Sequence, residues 1–185
     1  MIKTLAAAFA LFFAVSPALA EAPLSDDQVT RFIATLRPVE EMGKRLEAEG
    51  KIAETFGEEK PTLGSEFKPY SKGVASLKRD YPGEYAALGG ALKPHGFSQD
   101  EWAATGDRVM RAYIAVKLEK ENPDYEKQMA AMDPSMLSQL PPQMRAQIEG
   151  AFAMIETVKS TPAADKAAVK PHVAAIEAAT DIAAH

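Results

Sequence analysis

Apolar positions recur along this chain at intervals of three and four, the spacing that places them on one face of an α-helix. The first stripe is Val29, Phe32, Ile33, Leu36, Val39, Met42 and Leu46. Ser25 and Gln28 precede it at the spacing of a capping box, in which the serine oxygen and the glutamine side chain each satisfy an orphan amide. Pro38 falls inside the stripe and has no N–H to donate, which predicts a kink or two abutting helices. Gly50 is a suitable stop. Residues 55–66 carry Gly57, Pro61 and Gly64 among charged groups and read as a loop. The helical pattern resumes near Pro69 with Val74 and Leu77. Asp80-Tyr81-Pro82 breaks it, and Pro82 opens a helix carrying Tyr85, Leu88 and Leu92. Lys93-Pro94-His95-Gly96 reads as a turn.

A second capping box follows at Ser98 and Glu101, with Phe97 placed to act as a hydrophobic staple. Trp102, Val109, Tyr113 and Val116 share a face of the next helix, and Met110, Ala112 and Ile114 widen the apolar surface. A stripe this wide predicts a central helix packed on more than one side. Asn122-Pro123 ends it. Residues 124–140 predict one short helix, a break at Asp133-Pro134 and another short turn. Pro141-Pro142 opens a longer helix with Met144, Ile148, Phe152, Ile155 and Val158. Thr161-Pro162 caps a final one with Val169, Val173, Ile176 and Ile182, which Pro171 should kink or split. No alternating strand pattern, glycine-rich phosphate loop or convincing internal repeat is visible. The fold class expected is all-α, an irregular antiparallel bundle of about six to eight helices with Pro-kinked elements.

The first twenty residues differ from the rest. Met1-Ile2-Lys3-Thr4 is a short basic start, Leu5 to Val15 is apolar, and Ser16-Pro17-Ala18-Leu19-Ala20 ends in a small-x-small pattern. Together they read as a secretory signal peptide cleaved after Ala20. The apolar run is too short for a stable span, which needs about twenty residues, so no membrane anchor is expected after its removal. The chain has no cysteine, which excludes disulfides, thiol catalysis, thiolate metal sites and a lipid-bearing cysteine. The expected organisation is a leader over 1–20 and a single helical domain over 21–185. The expected location is the periplasm of a Gram-negative bacterium, with full secretion as the alternative.

Removal of the leader takes Lys3 with it and leaves 20 basic against 26 acidic residues, a net charge of −6. That balance argues against a nucleic-acid partner, which calls for a basic face. The charges are interspersed, as on a solvated surface.

Candidate chemistry is sparse. Met129, Met132 and Met136 are spaced i, i+3, i+7, followed by Met144. Thioethers suit Cu(I), which makes the first three a candidate metal site, but Pro134 interrupts the helix they would share. Methionines at helical spacing also serve as flexible packing or as an adaptable contact surface. His95, His172 and His185 form no close ligand pair. Glu40-Glu41 and Glu58-Glu59 lie in charged, surface-like surroundings. No Gly-x-Ser-x-Gly, Ser-x-x-Lys or His-Glu-x-x-His motif is present. No cofactor is therefore expected. If the chain were an enzyme, His95, Asp107 and Arg108 would be its candidate polar residues.

Gly96-Phe97-Ser98-Gln99-Asp100-Glu101-Trp102, running on to Gly106-Asp107-Arg108-Val109, resembles a group of small exported proteobacterial proteins of unknown function. These share a Gly-aromatic turn, a Glu-Trp pair and a Gly-Asp-Arg-Val run. The likeness covers roughly residues 94–118, with a looser match in the opening helix. It implies a helical exported protein and no particular activity. Read physically, Trp102 anchors the core. Gly106 costs a helix about 1 kcal/mol relative to Ala, which points to close approach of another helix or a ligand. Asp107 and Arg111 are spaced to pair on the helix surface. The function expected is a non-enzymatic binding or accessory module. It would contact an unknown protein or small molecule through an apolar or Met-rich face near Met129 to Met144.

Overall fold

In a computed structural model, residues 22–51, 66–124, 127 and 141–180 are described, and among them every regular element is helical. The elements are α1 (Asp26–Ala48), α2 (Pro69–Asp80), α3 (Pro82–Leu92), α4 (Gln99–Glu121), α5 (Pro142–Lys159), α6 (Ala163–Val169) and α7 (Val173–Thr180). The all-α expectation holds. No described helix is long and apolar enough to cross a membrane. The loop expected over 55–66 and the pattern read over 124–140 fall almost wholly outside the described residues.

Both capping boxes form. Ser25 accepts from the Gln28 amide while the Gln28 side chain accepts from the Ser25 amide, and Ser98 and Glu101 make the same exchange. At the other end of α1, Gly50 adopts φ +69. The Gly50 amide then reaches the Glu47 carbonyl at 2.9 Å and the Lys51 amide the Leu46 carbonyl at 2.9 Å. These are the two bonds of a Schellman cap, and the left-handed residue they require is why glycine stands there. Pro38 does not divide the helix. α1 runs through it as one element, because Leu36, Met42 and Leu46 on either side are buried in the same core. One missing helical bond is outweighed by that shared burial.

α4 is the central helix. It touches α1, α2, α3, α5 and α6. Its buried residues run from Trp102 to Ala115 and include Val109, Ala112 and Tyr113 on the apolar face, with Thr105, Asp107 and Arg108 on the others. α1 packs on α3, α4, α6 and α7, so the first helix meets the last. A smaller cluster, Ala115 with Ile155 and Val158, joins α4 to the C-terminal half of α5. Met144, in the first turn of α5, is 51% exposed.

The tripeptide Lys-Pro-His occurs twice, at 93–95 and 170–172, and takes the same 3-10 turn both times. Each copy follows a helix ending in a buried residue, Leu92 or Val169, with φ/ψ of −83/−29 and −83/−28. The proline cannot donate to the preceding helical turn, and the chain tightens. The next residue decides the outcome. Gly96 takes φ 73, the left-handed region, and turns the chain toward α4. Val173 stays right-handed at φ −50, and the helix resumes as α7. Pro171 thus splits the last helical pattern.

Candidate functional site

The Gly106-Asp107-Arg108 run sits at the centre of α4, and each residue is committed to a different neighbour. A Cβ on Gly106 would lie 2.7 Å from the Tyr70 ring and 2.9 Å from the Phe32 ring. The glycine is a notch that lets two aromatic rings rest on the helix backbone. Phe32, Tyr70 and Trp102 pack there with centroids 5.1 to 5.9 Å apart, two of the three contacts edge-on. Gly106 therefore serves close helix approach, as its presence inside a helix suggested. Gly106→Ala is expected to destabilise the fold by about 1–3 kcal/mol through overpacking, despite the better helix propensity of alanine. A lowered denaturant midpoint at constant slope is the measurement. An unchanged or raised midpoint would show that the rings yield without strain.

Trp102 is fully buried, as predicted. Its indole N–H donates to the Thr35 hydroxyl at 2.7 Å, and that hydroxyl donates to the Phe32 carbonyl at 2.6 Å. Thr35 is consequently buried on the face of α1 where a sequence stripe shows only apolar residues. Spacing alone gives no sign of it, since its partner is 67 positions away.

Asp107 is buried at 2% exposure and does not pair on the surface with Arg111. Its carboxylate instead accepts from the Tyr70 amide at 2.8 Å and the Ser71 amide at 3.3 Å, capping the N-terminus of α2 from a different helix. α2 begins with Pro69 and has no side-chain cap of its own, so Asp107 supplies the missing acceptor. Arg111 reaches the backbone carbonyl of Asp107 at 3.3 Å and lies 3.9 Å from Glu66. Burial holds the Asp107 carboxyl above its usual range, opposed by the hydrogen bonds from Ser71 and Tyr70. Burial, then the nearby Asp107 charge, pushes the Tyr70 hydroxyl up to about 12.

Arg108 turns the other way and forms a buried bidentate pair with Asp165 of α6. Its Nε lies 2.9 Å from one carboxylate oxygen and its Nη2 2.7 Å from the other. The same Nη2 donates to the Ala22 carbonyl at 2.8 Å, and the Leu24 amide donates to Asp165 at 3.0 Å. One ion pair thus ties α4, α6 and the segment before α1. Asp165 was not legible as a site residue: in sequence it is one acid in an alanine-rich helix, 57 positions from its partner.

His95 contributes its backbone rather than its ring to the contact made here. Its carbonyl and that of Gly96 accept from Arg31 Nη1 at 3.0 and 3.3 Å, while Arg31 Nε meets Asp27 at 2.8 Å and the guanidinium lies over the Phe97 ring at 4.7 Å. His172, in the other Lys-Pro-His turn, meets Asp26 at 2.7 Å. Both turns are therefore fastened to the first two turns of α1.

A cavity of about 310 Å³ lies between α1, the Gly96–Phe97 turn and α4, lined by Gln28, Arg31, Phe97, Glu101, Thr105 and Arg108, with Ala22 as part of its wall. Of the candidate polar residues only Arg108 lines it. His95 and Asp107 are placed elsewhere, so the three do not converge. Among the described residues no group of three His, Asp or Glu side chains is placed to hold a metal ion. Met129, Met132 and Met136 lie outside the described residues.

No family model matches the chain. No curated protein and no solved structure gives a significant match to it.

Proposed function

We propose that the chain is an exported helical accessory or binding module of the cell envelope, periplasmic in the first instance, and not an enzyme. The observation that carries this reading is the employment of its polar core residues. Asp107 caps a neighbouring helix, Arg108 and Asp165 tie three segments together, and His95 is offered to Arg31 as a carbonyl. These are joints of a scaffold, and an acid, a base and a substrate space do not meet among them. Export is supported by the leader pattern of residues 1–20. The resemblance over residues 94–118 points the same way.

Protein recovered from the envelope fraction is expected to begin Glu21-Ala22-Pro23 on N-terminal sequencing. A cytoplasmic product retaining Met1 would overturn the export reading. A turnover activity abolished by His95→Ala or Asp107→Asn, with helical circular dichroism retained, would overturn the non-enzymatic one.

A further inference from the structure

The cavity of about 310 Å³ between α1, the Gly96–Phe97 turn and α4 falls at the small end of the range for ligand pockets, about 300–1,000 Å³. Two of its walls carry polar groups that the fold does not spend. On α1, Gln28 and Arg31 are neighbours on one helix face and line it together. The Gln28 side-chain oxygen accepts from the Ser25 amide, and its Nε2 makes no hydrogen bond among the described residues. Arg31 is fixed by Asp27 at Nε, by two turn carbonyls at Nη1 and by the Phe97 ring, which leaves Nη2 without a bond. On α4, Glu101 and Thr105 are neighbours in the same way. Glu101 Oε2 accepts from the Ser98 amide at 3.0 Å and the Ser98 hydroxyl at 2.6 Å, and Oε1 is left over. Thr105 is only 6% exposed, yet its hydroxyl has no partner among the described residues. No enclosed side-chain nitrogen or oxygen lacks a partner among them, so Thr105 Oγ1 must open onto the cavity that the residue lines.

Arg31 and Glu101 line one cavity with opposite charges and form no ion pair with each other. The Ser98 hydrogen bonds hold the Glu101 carboxyl below its usual range, and the Arg31 charge adds to that. Two charges that sense each other across a gap, each with an unused edge, match a small molecule that carries both signs a few bonds apart. We propose that the cavity binds a free α-amino acid with an apolar side chain. Its carboxylate accepts from Arg31 Nη2 and Gln28 Nε2, and its ammonium donates to Glu101 Oε1 and the Thr105 hydroxyl oxygen. Its side chain lies against Ala22, Phe97 and Ala104. A simple anion would leave Glu101 without a partner and a simple amine would leave Arg31 without one, so the pair of walls selects for both ends of the head group. Arg108, committed to Asp165 and the Ala22 carbonyl, shapes the cavity. The inference rests on the reading of the chain as a binding module and names its ligand class.

The test uses the protein as recovered from cells, titrated calorimetrically with L-leucine. Two analogues are compared: isoamylamine, which is leucine without its carboxylate, and isocaproate, which is leucine without its ammonium. L-Leucine is expected to saturate with a midpoint below about 1 mM, and each analogue to bind at least about tenfold more weakly. Glu101→Gln removes the charge and keeps the cap, since glutamine serves a capping box as glutamate does. It is expected to weaken L-leucine at least about tenfold and isocaproate not at all, so that the two bind alike. Thr105→Val removes a hydroxyl that pairs with nothing in the free protein. Its urea midpoint is expected at or above that of the wild type, and its affinity for L-leucine about three- to tenfold lower. If Glu101→Gln fails to fold, Thr105→Val decides alone. Three results overturn the amino-acid site and leave the module reading to a protein partner. They are no saturable binding of L-leucine, equal binding of L-leucine and isocaproate by the wild type, and a Thr105→Val affinity equal to that of the wild type. Consumption of L-leucine with release of ammonia overturns the non-enzymatic reading instead.

Discussion

Asp165→Ala is expected to destabilise the domain by about 3–5 kcal/mol, among the largest effects of any single substitution in it. The change strands the Arg108 guanidinium, 9% exposed, without its bidentate carboxylate. It also leaves the Leu24 amide without the acceptor it has at 3.0 Å. The size of the effect comes from stranding a charge rather than from the worth of the pair, because removing two charges from water already offsets much of their attraction. Two comparisons separate these terms. Asp165→Asn keeps an acceptor for Leu24 and should fall between wild type and Asp165→Ala. Arg108→Met/Asp165→Leu should be closer to wild type than Asp165→Ala. Urea unfolding followed by circular dichroism reads all three, and an Asp165→Ala midpoint equal to wild type would show that water reaches Arg108 freely.

Trp102→Ala should cost a similar amount, about 3–5 kcal/mol, by a different route. The indole is fully buried between Phe32 and Tyr70, and its loss leaves a void against the Gly106 notch that neither ring can fill without leaving the helix backbone. Trp102→Phe keeps most of the volume but removes the indole N–H that the Thr35 hydroxyl accepts at 2.7 Å, leaving that hydroxyl only its own bond to the Phe32 carbonyl. It is expected to cost about 1–3 kcal/mol. Pairing Trp102→Phe with Thr35→Val should recover part of that loss, since the hydroxyl no longer lacks a donor. The double variant being no more stable than the sum of the singles would remove the hydrogen bond from this account.

The local signals in the sequence were dependable because their causes are local. Ser25 with Gln28 and Ser98 with Glu101 sit three residues apart and act within one helical turn. Gly50, Pro82, Asn122 and Pro171 end or start helices through their own backbone chemistry. Of the two outcomes Pro38 offered, a kink or two abutting helices, the division into two does not occur, for the opposite reason. The missing amide of Pro38 is local, but the burial of Leu36, Met42 and Leu46 that carries the helix through it is tertiary. The centre of α4 was legible as a place and not as a set of partners. Trp102 as core and Gly106 as a point of close approach could be read from residue type. Asp107 could not be assigned to the amides of Tyr70 and Ser71, nor Arg108 to Asp165, because nothing in the spacing links residues 36 or more positions apart. Lys-Pro-His stands twice in the sequence, but its two copies were read separately, one as a turn and one as a break at Pro171. Its meaning, a common 3-10 exit whose direction the following residue decides, needed the backbone angles.

The joining of α1 to α6 and α7 has a consequence for how the domain is reached in time. Leu24 to Asp165 and Asp26 to His172 close loops of 141 and 146 residues. Relative to closing a loop of about 15 residues between sequential helices, such a loop loses roughly 2 kcal/mol more in chain entropy. Individual helices form within about a microsecond. Helical proteins built of neighbouring contacts are fast for that reason, their relative contact order being low. Here the secondary structure is local and the closure is not. The docking of α1 on α6 and α7 is therefore expected to carry a larger closure cost than the pairing of sequential helices, a kind of cost more familiar from β-sheet proteins than from bundles of helices.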